Sequence, residues 1–277
     1  MTRLRSVLYM PASNTRAIAK ARALPCDAVM LDLEDAVAPE AKLEARAAAV
    51  AAVREGGFGS RAVAVRVNGH DTPWGANDLA ALADVPVAAV VLPKVNGPAD
   101  LVAARAVLPG PALWAMVETC AGVLALPAIA AAAHAVGLEV LIAGTNDLAK
   151  DMRCRPDAMR MPLLPALSQV VIAARASGIA ALDGVFNGLG DVDGLTTACR
   201  QGAMLGFDGK TLIHPDQIDI ANAAFSPTAA EIAWARTVAE AFADPITAGK
   251  GAIRLDGAMV ELLHLAEAER ILSLVDE

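Results

Sequence analysis

A chain of 277 residues can bury a sizeable core as one large domain or as two modest ones. Its net charge of −8, from 31 acids against 23 bases, argues against nucleic acid as the main partner, since phosphate recognition depends on a basic face. Apolar residues make up 56% of the chain but aromatics only 3%, and alanine carries much of the excess, which suits helices packed closely around a sheet better than a lipid-facing surface.

The N-terminal segment has only a short apolar run before Pro11, so it does not read as a signal peptide, and a cytoplasmic protein is expected. A first strand is expected over residues 7–10, then helical spacing over 15–24. A second strand at 28–33 leads into a helix at 38–54, and strands at 62–67 and 88–92 precede a helix at 99–107. The fifth strand, 113–117, is followed by helical spacing over 122–135. The sixth, 140–143, is followed by a helix at 163–176, and strands at 180–182 and 204–207 complete eight. The longest uncharged stretch, between Glu118 and Glu139, contains Gly122, Pro127, His134 and Gly137 and reads as a soluble helix rather than a membrane span. The four cysteines (Cys26, Cys120, Cys154 and Cys199) form no CxxC pair and are expected as reduced thiols.

Eight strands alternating with helices imply parallel βα units, and at this length a closed α/β (β/α)8 TIM barrel is the natural architecture. The rival, an open doubly wound sheet, lacks its Gly-rich phosphate turn here, because Tyr9-Met10-Pro11-Ala12-Ser13-Asn14 follows the first strand. Residues 1–223 are assigned to the barrel. Residues 224–277 are assigned to a C-terminal helical extension with no ninth strand, an arm packing over a barrel mouth of this or a neighbouring subunit.

Barrel enzymes place chemistry at the C-terminal ends of their strands. Six of the expected strands run into charged residues there: Asp32-Leu33-Glu34-Asp35, Arg66, Lys94, Glu118, Asp147 and Asp183. Together they predict a polar cup on an apolar wall. Glu118 and Asp147 follow consecutive strands, so their carboxylates are expected to converge, and two oxygen donors with open positions are the usual holder of Mg2+. Pairing of either acid with Arg66 or Lys94 is the alternative, while zinc-like His/Cys spacing is absent. The planar fork of Arg66 suits a substrate carboxylate, or else neutralises the acidic rim. Asp32 and Glu34 share a face of an extended segment; with Asp35 they are expected to support metal-bound waters or to anchor loops.

These stretches resemble one family over almost the full length. RSVLYMPAS (5–13), DAVMLDLEDAVAPEAKLEAR (27–46), VRVNG (65–69), VVLPKV (90–95), WAMVET (114–119), GTNDLAK (144–150), GFDGKTLIHPDQI (206–218) and FSP (225–227) are similar to the citrate lyase β-subunit-like branch of the HpcH/HpaI aldolases. The resemblance implies a TIM barrel assembled as a homotrimer or homohexamer, with Mg2+ on Glu118 and Asp147. It implies substrate at Arg66, Glu118 and Tyr9, and coenzyme A phosphates near Arg16 and Lys20. His214 is expected either to cap its turn or to contact ligand. Many relatives carry Met-Ile-Asp in the C-terminal arm with Asp as acid/base; here the matching stretch is Met259-Val260-Glu261, so Glu261 takes that expected role.

The leading expectation is therefore a Mg2+-dependent carbon–carbon lyase acting on a small hydroxyacyl-CoA such as malyl-CoA or citramalyl-CoA. The alternatives are a Mg2+-dependent malyl-CoA-type thioesterase and a citrate lyase β subunit acting on an acyl-carrier-bound substrate.

Overall fold

The computed structural model describes residues 3–244, 249–255 and 257–275. Eight parallel strands close into a barrel in sequence order. The chain runs β1 (Ser6–Pro11), α1 (Thr15–Ala21), β2 (Ala28–Asp32), α2 (Lys42–Glu55), β3 (Ala62–Arg66), α3 (Gly75–Leu82), β4 (Ala89–Leu92), α4 (Pro98–Val107), β5 (Ala112–Val117) and α5 (Cys120–Val136). It continues through β6 (Leu138–Ala143), α6 (Thr145–Asp151), α7 (Leu164–Ala176), β7 (Ala180–Asp183), α8 (Val192–Leu205), β8 (Gly209–Leu212) and α9 (Ile218–Ala224). Strands such as Ala-Val-Val-Leu in β4 are apolar at every position because both faces are covered, one by the barrel interior and one by helices.

Alternation along the strands sorts these side chains into two cores. Leu8, Leu31, Val65, Val90, Leu113 and Leu141 point outward beneath the helices. Val7, Met30, Val91, Met116, Ile142 and Leu182 fill the barrel together with alanines at 28, 64, 89 and 180. Such small residues leave room that Trp114 occupies, buried to 3% exposure, and its indole N–H finds no acceptor among the described residues.

The eighth strand departs from expectation. Residues 204–207 are not a strand: Met204 lies in the last turn of α8, 87% exposed, and the strand is Gly209-Lys210-Thr211-Leu212. Gly209 lets β8 approach β1, since a Cβ there would collide with the carbonyl oxygen of Leu4. The uncharged stretch after Glu118 forms α5, started by the Thr119 hydroxyl accepting the Gly122 N–H at 2.9 Å and ended by left-handed Gly137. Among the described residues no helix is long and apolar enough to cross a membrane.

The barrel unit ends at Phe225 and a second compact unit begins at Ser226. This second unit is not purely helical. Between α10 (Ala229–Ala243) and α11 (Leu262–Ser273), strands β9 (Ala252–Leu255) and β10 (Ala258–Glu261) pair antiparallel. Ala235, Val238, Ile253, Val260, Ala268 and Ile271 form its own small core.

Candidate active site

A cavity of about 320 Å³ opens at the C-terminal ends of the strands. Arg66, Asp32, Asp35, Tyr9, Glu118 and Asp147 all line it, with Met116, Thr145, Asn146, Asn187, Thr211 and Ile213 completing most of the wall.

Register builds the Arg66 corner. Asp32 at the end of β2 lies opposite Arg66 at the end of β3, and their side chains meet as a bidentate pair. Nε donates to Oδ1 and Nη2 to Oδ2, both at 2.7 Å. Asp32 also accepts the backbone N–H groups of Glu34 at 2.9 Å and Ala36 at 3.1 Å, so its carboxylate is committed to orienting Arg66 and its own loop. Nη1 of Arg66 lies 2.9 Å from Glu34 Oε2, a close charge contact not aligned as a hydrogen bond, and that oxygen has no hydrogen-bond donor among the described residues. Asp35 is farther, at 3.9 Å, with an exposed side chain. The Tyr9 ring stacks 4.8 Å from the guanidinium, and burial pushes its hydroxyl pKa upward. Beneath the acids, the Lys42 ammonium caps the carbonyls of Leu33 and Glu34 at 2.7 and 2.6 Å.

The Glu118 corner is set by β5 and β6. An irregularity at Leu113/Trp114 shifts their register so that Val117 pairs with Ala143, which brings Glu118 beside Gly144. Oε1 of Glu118 accepts the Lys94 N–H at 2.8 Å, while a Cβ at position 144 would collide with Oε2. Burial, followed by the nearby Glu34, raises the Glu118 carboxyl to about 7 against the pull of Lys94 and Arg66. Asp147 sits in the first turn of α6 rather than on a strand end, half-buried, with no hydrogen bond or ion pair to its carboxylate among the described residues.

These two acids fit a hard divalent cation. Both line one cavity, one has no partner among the described residues, and the other keeps an oxygen over a hollow that only glycine leaves open. Among the described residues no three His, Cys, Asp or Glu side chains are placed together to hold a metal ion, so water and substrate oxygens would fill the positions the two carboxylates leave, as suits Mg2+.

Other expected site residues lie elsewhere. Asp183 does not join the cup: it is fully buried behind the sheet, accepting from Lys210 Nζ at 2.7 Å and Arg160 Nη1 at 2.7 Å. Alternation along β7, with Leu182 inside the barrel, turns Asp183 outward, where register sets it opposite Lys210. Arg16 and Lys20 are exposed on α1, outside the cavity wall. Glu261 is exposed at the end of β10 in the C-terminal unit, its N–H donating to His264 Nδ1 at 3.0 Å. His214 caps the short turn Pro215–Gln217 through Nδ1, 3.3 Å from the Asp216 N–H. Sequence reasoning missed Thr145, Asn187 and Thr211; their placement just after β6, after β7 and on β8 is the signal that could have found them.

The profile of the HpcH/HpaI aldolase/citrate lyase family matches residues 5–215. A (3S)-malyl-CoA thioesterase of Cereibacter sphaeroides is 46% identical over 97% of this chain and 93% of its own length. The citrate lyase subunit beta of Leuconostoc mesenteroides is 31% identical over 98% of this chain and 93% of its own. The crystal structure of protein CitE from Mycobacterium tuberculosis, in complex with magnesium, acetoacetate and coenzyme A, superposes with a TM-score of 0.81 at 32% identity, covering 98% of both chains. With an eight-stranded barrel and a matching profile over most of its length, the chain belongs to the HpcH/HpaI aldolase/citrate lyase family.

Proposed function

We propose that this protein is a Mg2+-dependent thioesterase of the malyl-CoA type, hydrolysing the coenzyme A ester of a small hydroxy acid. The observation that carries the reading is the common wall on which Arg66, Glu118 and Asp147 meet. The 46% identity to a malyl-CoA thioesterase supports the thioester substrate and the hydrolytic outcome. The solved relative with magnesium and coenzyme A supports the cation and the carrier.

Glu118 and Asp147 would hold the cation, which when bound supplies Lewis-acid polarisation of the substrate oxygens. Arg66, aimed by Asp32, keeps guanidinium N–H groups for the substrate carboxylate and stabilises developing negative charge. In hydrolysis a water oxygen bonds to the thioester carbon, the C–S bond breaks, and the leaving thiolate takes a proton. Glu261 is assigned that proton transfer, and Arg16 and Lys20 the coenzyme A phosphates. The reading takes the protein as a cytoplasmic homotrimer or homohexamer.

A second reading, carbon–carbon cleavage, is favoured by the lyase relative. There the hydroxyl loses its proton, the adjacent carbon–carbon bond breaks to a keto acid and the acetyl-CoA enolate, and the enolate is reprotonated. Incubating purified protein with malyl-CoA and Mg2+ separates the two: free thiol with malate marks hydrolysis, glyoxylate with acetyl-CoA marks cleavage. Turnover of the free ester without a carrier protein removes the acyl-carrier reading. Glu118→Gln and Asp147→Asn should each lower turnover by roughly 10²–10³-fold, the scale of losing one transition-state contact. Undiminished activity of either variant in chelator-treated buffer defeats the metal assignment.

A further inference from the structure

Among the described residues only three other than glycine take the left-handed backbone: Lys94 (φ 51), Arg153 and Arg160. That conformation is strained for a residue with a Cβ and persists where its surroundings over-determine it. At Lys94 the surroundings are two carboxylates. The bend after β4 turns the Lys94 N–H onto Glu118 Oε1 at 2.8 Å, and the ammonium reaches Glu34 Oε1 at 2.5 Å. One residue on, the Val95 N–H donates to the Met116 carbonyl at 3.2 Å, which keeps the bend stitched to β5. Glycine would take this backbone without strain and offer the same N–H, so the strained lysine is explained by its ammonium. That ammonium ties the bend to Glu34, whose other oxygen lies against Arg66.

We propose that Lys94 is a positioning residue for Glu118: its N–H holds Oε1, leaving Oε2 toward Gly144 and the cavity, and its bond to Glu34 locks the bend that aims that N–H. This rests on the assignment of Glu118 to the cation. It makes Glu118, Lys94, Glu34, Arg66 and Asp32 one continuous chain, so the metal corner and the carboxylate corner of the cavity are set together.

The test compares wild type with Lys94→Met, which removes the ammonium, Lys94→Gly, which keeps the N–H and releases the bend, and Glu34→Gln. Mn2+ binding is read by electron paramagnetic resonance in the absence of any coenzyme A ester, and thermal melts check folding. Each variant should bind Mn2+ about tenfold more weakly, the scale of losing a partner behind a metal ligand. Lys94→Met combined with Glu34→Gln should bind no more weakly than either alone, since both break one link. Affinity within twofold of wild type in the folded Lys94→Met, or losses that add in the double variant, overturns the proposal. A metal-free crystal structure of Lys94→Met decides it independently: Glu118 should leave its wild-type position or split between rotamers, and an unmoved carboxylate overturns the proposal. Wild type that binds no Mn2+ defeats the cation assignment, and the crystal structure still judges the role of Lys94.

Discussion

Gly144 follows β6 directly beside Glu118, and a methyl group there would overlap the Cβ and Oε2 of that side chain. The backbone of β6 cannot retreat, because the Gly144 N–H donates to the Val117 carbonyl at 3.0 Å. Gly144→Ala must therefore push the carboxylate aside. A displacement of about 1 Å at a reacting centre costs on the order of 10²-fold in rate, so kcat/KM should fall by that scale while the circular dichroism spectrum stays native. Full activity of the alanine variant would show that Glu118 has room to spare. The Asp32–Arg66 pair shows the same economy of placement, two carboxylate oxygens holding a fork so that the cavity receives it in one orientation.

Strands β7 and β8 carry the other charged centre of the barrel. Asp183 and Lys210 are both fully buried, and Arg160, reaching across from the segment before α7, donates to both Asp183 oxygens at 2.7 and 2.9 Å. Burial alone would raise the Asp183 carboxyl, but Lys210 and then Arg160 outweigh it and hold it below the ordinary aspartate range. A carboxylate depressed on folding contributes stability above its unfolded pKa of about 3.9, and loses it as pH falls through the lower folded value. Asp183→Asn leaves Lys210 buried without its counter-ion, so it should destabilise by about 3–5 kcal/mol at pH 7. Denaturant unfolding between pH 7 and pH 3 should show the gap from wild type narrowing only below about pH 4. A gap that closes well above that range would assign the effect to another group.

For the whole molecule, cation binding is a stability statement. A ligand that binds only the folded state at 100 times its Kd adds about 2.7 kcal/mol. At roughly 2–4 °C per kcal/mol for a chain approaching this size, Mg2+ should raise the wild-type Tm by about 5–10 °C. Glu118→Gln and Asp147→Asn should abolish the rise, and chelator should reverse it in wild type. A wild-type Tm indifferent to Mg2+ would count against the two-carboxylate centre. Four of the acids, Asp32, Asp35, Glu118 and Asp147, line the cavity, where a cation can offset their charge.

Much of this protein follows from local pattern. Seven of the eight strands, the barrel they close and the charged ends of β2, β3 and β5 are written in short apolar runs that break at a polar residue, and burial on both faces enforces such runs. What failed locally failed for non-local reasons. The Gly-Lys-Thr-Leu of β8 looks too polar for a buried strand, yet it is one because its lysine is neutralised by Asp183, a residue 27 positions away. The same pairing holds Asp183 buried outside the barrel interior, and the hairpin of the C-terminal unit arises from cross-strand pairing of modest sequences. Tertiary structure alone decided which acid takes which partner: strand register sets Asp32 against Arg66 and Glu118 against Gly144, and the bend at Lys94 joins the two. Register and burial are properties of a closed barrel, and no window of sequence contains them.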